Sequence, residues 1–171
     1  IEALGHLASW IAEGSGPEKV RRLIRRVLWL MNDESGGIAW KGPEVIAEIL
    51  THVPELLDEY GRIVASFIDE EPFVPGSHYA LARLANMLPS QFTHLAEHLE
   101  TTSLKSDDPQ VRGWGLVGLF AIDPAVGRRA AKKLAGDEET FKVYSRVSGV
   151  IRTESVASIV TKLPDFETRA A

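Results

Sequence analysis

The chain has 171 residues, a formal net charge of −5 and no cysteine, with 44% hydrophobic and 25% charged residues. This composition is typical of one globular domain, argues against disorder, and excludes a disulfide framework and a cysteine metal site. The apolar runs are short and interrupted by charge, which excludes a membrane-spanning segment. The absence of cysteine fits a reducing compartment, so we expect a cytoplasmic protein. Its net acidity is unlike the basic surface of most nucleic-acid-binding proteins.

Prolines recur with a period near 35 residues, which is the strongest internal pattern in the chain. Pro17, Pro54, Pro89 and Pro124 are separated by 37, 35 and 35 residues. Proline suits the first turn of a helix, since its missing N–H would have no partner there. The third, sixth and tenth residues after each proline are apolar, except for Gly127, and share one side of a helix. The pattern therefore predicts a helix beginning at each proline.

A partner helix precedes each of these helices. Apolar residues stand eight, five and four positions before the last three prolines: Ile46, Ile49, Leu50, Leu81, Leu84, Ala85, Leu116, Leu119 and Phe120. The first unit fits the same spacing through Leu7, Trp10 and Ile11 if its loop is two residues longer. We expect four helix pairs, over about residues 1–31, 43–68, 77–100 and 108–135, separated by a Gly-rich linker at 32–42 and a loop at 70–76. Because such pairs must stack to bury their apolar faces, the predicted fold is an all-α, right-handed α-solenoid.

The helix pairs resemble HEAT repeats. Residues 107–112, Asp-Asp-Pro-Gln-Val-Arg, lead into Gly-Trp-Gly-Leu at 113–116. The segment 29–40, followed by Gly-Pro-Glu at 42–44, is similar to a group of small, uncharacterised prokaryotic HEAT-repeat proteins. The resemblance covers most of the chain. It implies an armadillo-type α-solenoid fold and no particular reaction.

The pattern changes after the fourth pair. Residues 141–145 and 150–153 are rich in β-branched and aromatic side chains, with a Ser-Gly turn signal between them, which predicts a small β-hairpin. Ser155 is expected to cap a last helix that ends before Pro164. We expect this C-terminal unit, about residues 140–164, to cover the end of the stack.

The loop from Asn32 to Gly42 is the preferred binding site. It combines hydrogen-bond acceptors, a cation, a large aromatic and glycines on a rigid scaffold, where binding residues commonly lie. Its candidate binding residues are Asn32, Asp33, Glu34, Trp40 and Lys41. The glycine spacing matches no phosphate-binding fingerprint. In the alternative interpretation, Asn32 or Asp33 ends a helix, two glycines form the turn, and Trp40 packs between helix pairs.

The helix from Pro17 carries a basic stripe. Its predicted core face leaves Arg22, Arg25, Arg26 and Trp29 on the opposite side. Arginines beside an exposed tryptophan are candidates to bind phosphate, a carboxylate-bearing ligand or an acidic partner. The alternative is a solvated helix face, with Trp29 packed on a neighbouring pair.

Charge alternates along the chain. Residues 17–33 carry a net charge of +3 and residues 54–71 a net charge of −5. This polarity either steers a partner or provides ion pairs within the chain. A second basic cluster lies off the core face of the helix from Pro124, and comprises Arg128, Arg129, Lys132 and Lys133.

His94, Glu97 and His98 match the H-x-x-E-H pattern of inverzincin metallopeptidases. Histidines four apart share a helix face, but a zinc site of this class needs a third ligand that no further motif supplies. Both histidines lie off the predicted apolar stripe, so we expect them to face solvent and to bind no metal. No nucleophile elbow is present.

These patterns favour a non-catalytic protein–protein interaction or scaffold module without a cofactor. The alternative is a DNA-binding protein like the HEAT-like alkylpurine DNA glycosylases, in which a basic concave face with aromatic and acidic residues holds a damaged base. The basic clusters would then contact phosphates, with tryptophans near the base. A third hypothesis is a metal-dependent hydrolase using His94, Glu97 and His98.

Overall fold

The computed structural model describes residues 1–32, 39–145 and 149–167. Within these ranges the protein is mostly helical with a small two-stranded antiparallel sheet, as the sequence predicts. The α-helices are α1 (Glu2–Ser15), α2 (Pro17–Met31), α3 (Gly42–His52), α4 (Leu57–Ala65), α5 (Val74–Ala85), α6 (Ala96–Thr101), α7 (Pro109–Ile122), α8 (Pro124–Leu134) and α9 (Val156–Glu167). None of these helices is both long and apolar enough to cross a membrane.

The helices follow one another in pairs, as the proline period predicts. Pro17 and Pro124 begin α2 and α8, and Pro54 begins a 3₁₀ turn that leads into α4. The first helices of the pairs, α1, α3, α5 and α7, pack on one another in chain order. The third pair starts at Val74 because Pro75 lies in the first turn of α5, so the predicted loop at 70–76 is shorter than expected.

The second half of the third pair is not the single helix that the spacing predicts. It consists of the 3₁₀ turns Pro89–Gln91 and Thr93–Leu95, followed by the short helix α6. Within this segment Gln91 turns inward, and its amide donates to two carbonyls of the second pair. Phe92 and Leu99 are nevertheless fully buried, as predicted.

One continuous apolar core runs through the four pairs and the C-terminal unit. The residues predicted to face the core from α3, α5 and α7 are buried, and comprise Ile46, Ile49, Leu50, Leu81, Leu84, Ala85, Leu116, Leu119 and Phe120. The predicted stripe therefore gives the correct inward face for these three helices.

The predicted inward face of α1 is wrong. Leu7 and Trp10 are 45% and 70% exposed, and of the three predicted residues only Ile11 packs against the core. Instead, α1 presents Gly5 and Ala8 to α3. A Cβ added at Gly5 would lie 2.6 Å from the carbonyl oxygen of Glu48. Small side chains allow the two helices to approach closely, and this rotates the larger apolar residues outward.

The C-terminal unit is a hairpin followed by a helix, as predicted. Strands β1 (Thr140–Ser145) and β2 (Val150–Ser155) pair antiparallel, with Thr140 opposite Ser155. The hydroxyl of Ser155 accepts from the N–H of Ser158, 3.1 Å away, which is the expected cap of α9. The predicted turn residue Ser148 lies outside the described residues.

The last helix packs on α7 and α8 and continues to Glu167. Its predicted end before Pro164 is therefore wrong. Burial of Val156, Ile159 and Leu163 holds the part of this helix before Pro164 in place.

Arg112, near the start of α7, forms ion pairs and hydrogen bonds with the segment before the hairpin. Its Nε lies 2.7 Å from Asp137 Oδ2, and its Nη2 lies 2.5 Å from Glu139 Oε2. Its Nη1 also donates to the carbonyl of Ser106. Hydrogen bonding to Arg112 lowers the pKa of Asp137, and the same bonds raise the pKa of the guanidinium. The hairpin is thus held by charge-assisted bonds as well as by apolar packing.

Candidate functional site

The outer face of α2 exposes a tryptophan. Val20, Ile24 and Met31 of α2 are buried, so the predicted core face is confirmed. Trp29, on the opposite side, is 55% exposed, which rules out the alternative that it packs on a neighbouring pair. The guanidinium carbon of Arg26 lies 4.4 Å from the centroid of the Trp29 ring, a cation–π contact.

The segment that returns to α3 brings a second exposed tryptophan to the end of α2. The N–H of Ala39 donates to the carbonyl of Leu30, so this segment lies alongside the last turn of α2. Trp40 is 66% exposed, and the alternative in which it packs between helix pairs is wrong. Leu30 and Ala39, which this bond joins, are the chain neighbours of Trp29 and Trp40.

The other predicted loop residues differ in their roles. Asn32 ends α2, and its amide donates to the carbonyl of Leu28 at 2.8 Å, so the helix-ending interpretation is confirmed for this residue. The Lys41 side chain is exposed and its ammonium lies 2.8 Å from Glu44 Oε1. The candidates Asp33 and Glu34 lie outside the described residues.

Two of the arginines on α2 form ion pairs with neighbouring carboxylates. Arg21 Nε lies 2.7 Å from Glu59 Oε2, and Arg25 reaches Glu18, Glu59 and the hydroxyl of Tyr60. The hydrogen bond from Arg21 lowers the pKa of Glu59. Some of the positive charge of the first pair therefore forms ion pairs with the negative charge of the second pair. The predicted binding residue Arg25 faces α4.

Arg22 and Arg26 are different, because they are exposed and form no hydrogen bond or ion pair with the described part of the chain. We call Arg22, Arg26, Trp29 and Trp40 the basic–aromatic patch. It contains two large exposed rings and two arginines without an ion pair in the part of the chain that the structure describes.

A buried polar cluster between α3, α5 and α7 was not predicted. Glu48 is 1% exposed and accepts from the Tyr79 hydroxyl at 2.5 Å and from Arg83 Nε at 2.9 Å. The Tyr79 ring meets Trp114 edge-on, with 5.1 Å between centroids. Glu44, one turn before Glu48, is also buried. We call these five residues the polar ladder.

The Glu44 carboxylate lies against Gly76 in the first turn of α5. Unpaired N–H groups at a helix N-terminus favour negative charge, which offsets part of the cost of burying this group. Among the described residues, neither its Oε2 nor Nη2 of Arg83 has a hydrogen-bond partner. The sequence does indicate the polar ladder, because Glu44, Tyr79 and Trp114 are successively 35 residues apart.

The H-x-x-E-H residues lie in the 3₁₀ turn Thr93–Leu95 and in α6. His94 and Glu97 are exposed, whereas His98 is half-buried with its Nε2 3.2 Å from Asp69, so the prediction that both histidines face solvent is wrong for His98. The α-helix begins only at Ala96, so the two histidines do not share one regular helical face. The described residues contain no group of three or more metal-ligating side chains placed to hold an ion.

A buried serine–histidine pair, also not predicted, lies between α5 and the 3₁₀ turn Ser103–Lys105. His78 Nδ1 lies 2.7 Å from the carbonyl of Val74, which can only accept, so Nδ1 carries the hydrogen. Nε2 then accepts from the Ser103 hydroxyl, also at 2.7 Å. Burial lowers the pKa of His78. Both side chains are buried, so this pair holds α5 in place and does not meet a substrate.

Comparison with protein-family models, curated proteins and solved structures found no match to this chain. The site is therefore assigned from the chain's own residues. Of the arrangements described, only the basic–aromatic patch combines exposed large side chains with charges that lack partners in the described ranges.

Proposed function

We propose that this chain is a non-catalytic interaction module that binds another protein through the basic–aromatic patch. The observation that carries the proposal is the exposure of Trp29 and Trp40, together with two exposed arginines that form no ion pair within the described ranges. Tryptophan and arginine contribute most to binding energy at protein interfaces, because a large ring or guanidinium gains much contact when water is displaced.

We infer that the helix pairs form a right-handed α-solenoid of the HEAT type. The packing of α1, α3, α5 and α7 in chain order supports this. Contacts between positions 35 residues apart support it too, since Tyr79 meets Trp114 and Glu48 pairs with Arg83. A solenoid presents an extended surface to partners. The hairpin and α9 would then serve as the terminal cap, and a cytoplasmic location belongs to the same proposal.

Binding is favoured over catalysis because the reactive side chains described are poorly placed for chemistry. The His78–Ser103 pair is closed off from solvent. The patch contains no general base between its arginines and tryptophans.

DNA binding, as in the HEAT-like alkylpurine DNA glycosylases, is the second candidate. The same patch supports it, because tryptophan rings stack on bases and arginines contact phosphates. Such binding would weaken steeply as salt concentration rises.

The test is affinity capture from a lysate of the source organism with matched tryptophan variants. The site variant is Trp29→Ala with Trp40→Ala, and the control is Trp10→Ala, which removes an equally exposed ring on α1. All baits must first show the same helical circular dichroism. We expect a specific protein that the wild type and the control retain and the site variant loses.

Three results would contradict the proposal. Equal capture by wild type and site variant would show that the patch is not the site. Loss from both variants would show that any exposed tryptophan suffices. Recovery of nucleic acid alone, released by raised salt, would replace the proposal with the DNA-binding alternative.

A further inference from the structure

The positive charges of Arg22 and Arg26 favour a negatively charged ligand for the basic–aromatic patch. Arg22 and Arg26 are one helical turn apart, with Cβ atoms about 6 Å from each other. Among the described acids, Glu18 and Glu59 are engaged by Arg21 and Arg25. Within the described ranges the patch therefore keeps two positive charges, on a protein whose overall charge is −5.

The aromatic part of the patch lies directly beside these charges. Trp29 follows Arg26 by three residues and Arg22 by seven, so all three share one face of α2. Trp40 joins them from the returning segment, next to Leu30. A ligand that fits must offer carboxylates to the guanidinium groups and an apolar or aromatic side chain to the rings.

The arrangement of charge on the other helix pairs disfavours a nucleic-acid strand. A strand would need a row of cations along its phosphates. The second basic cluster lies on α8, in the fourth pair. The second halves of the two intervening pairs expose more acids than arginines: Glu55 before α4, Asp58 on α4 and Glu97 on α6, against Arg62 on α4. Neighbouring helices lie about 8–10 Å apart. A strand that contacted the basic residues of both α2 and α8 would therefore pass these acids over a distance of several nucleotides.

We infer that the partner segment is an acidic linear peptide with at least one aromatic or large aliphatic side chain. This inference rests on the proposed function and specifies its partner. Aspartate or glutamate would pair with Arg22 and Arg26 in bidentate fashion. The apolar side chain would pack between Trp29 and Trp40, and would displace water from both rings.

The experiment is selection from a phage-displayed library of random linear peptides on three baits. These are the wild type, Arg22→Glu with Arg26→Glu, and the matched control Arg129→Glu with Lys133→Glu, which makes the same charge change on the exposed face of α8. Synthetic versions of the enriched peptides, and a single-stranded oligodeoxythymidine, are then titrated by fluorescence anisotropy. All three baits must unfold at the same urea concentration.

We expect wild-type binders enriched in aspartate and glutamate together with an aromatic or large aliphatic residue. Their affinity should fall at least about tenfold on the α2 charge reversal and stay unchanged on the α8 reversal. A lysine-substituted version of the peptide should regain affinity for the α2 variant, because the charges are then complementary again.

Several results would overturn the inference. These are no enrichment over the α2 variant, binders without acidic enrichment, equal loss on both charge reversals, or tighter binding of the oligonucleotide. If the library fails while Trp29→Ala with Trp40→Ala still abolishes capture of a cellular protein, the proposed function stands and the acidic peptide is the wrong partner. If both fail, the patch is not a binding site.

Discussion

Replacing Arg83 by methionine should destabilise the protein strongly, because it leaves the Glu48 carboxylate inside the helix layer without its cation. Glu48 is 1% exposed, whereas the Arg83 side chain is 23% exposed. Breaking a buried ion pair by removing one partner costs about 3–5 kcal/mol. Water can reach the partly exposed arginine site, so we expect the lower end, about 3 kcal/mol. For a protein of this length that corresponds to a fall in melting temperature of roughly 6–12 °C.

The assay is urea unfolding followed by far-UV circular dichroism. The matched control is Arg62→Met, which makes the same substitution at an exposed arginine on α4 and should change the free energy of unfolding by less than about 0.5 kcal/mol. The double variant Glu48→Met with Arg83→Met should recover most of the loss, since apolar residues of similar size replace buried pairs at little cost. The coupling energy from this double-mutant cycle should exceed about 1 kcal/mol.

A small loss would refute this reasoning. If Arg83→Met costs no more than Arg62→Met, Glu48 is satisfied by its other contacts and the ion pair contributes nothing. If the double variant is as unstable as the sum of the two single variants, Glu48 and Arg83 act independently.

Two further predictions concern buried positions. Because burial lowers the pKa of His78 from 6.5, the unfolded chain binds this proton more readily; stability should be full above about pH 6.5 and decline below it by at most about 1.4 kcal/mol per pH unit. Urea unfolding across this range should show a shallower decline for His78→Gln, and an unchanged slope would contradict the assignment. Gly5→Ala should cost about 1–3 kcal/mol because its Cβ would meet the backbone of α3. Gly14→Ala, with nothing within 4 Å, should add about 0.5–1 kcal/mol, and equal effects in thermal unfolding would refute the close packing of α1.

The sequence pattern predicted the helices well where one type of residue determines the local structure. Pro17 and Pro124 begin helices because their rings fix the backbone of a first turn. Residues such as Ile46 and Leu81 are buried because large apolar side chains gain most from leaving water. The inward face of α1 could not be predicted from the spacing of large apolar residues. It is determined by the close approach of the α1 and α3 backbones at Gly5, and glycine is not part of such a spacing.

The candidate site was predictable to a similar extent. The exposure of Trp29 and Arg26 follows from their position opposite the core face of α2. The exposure of Trp40 does not follow, because no helical period applies to the segment before α3. Glu48 was missed because a lone glutamate in a sequence normally indicates an exposed position, and its burial depends on Arg83, 35 residues later in the chain.

The polar ladder also restricts how the order of the helix pairs can change. Its members come from three successive pairs at a constant spacing of 35 residues, and each pair supplies a different chemical group. Deleting one such unit, residues 72–106, would bring Gly118 to the position of Arg83 and leave Glu48 facing a residue without a side chain. Loss of this pair would therefore be penalised in this chain, and its pairs are not interchangeable.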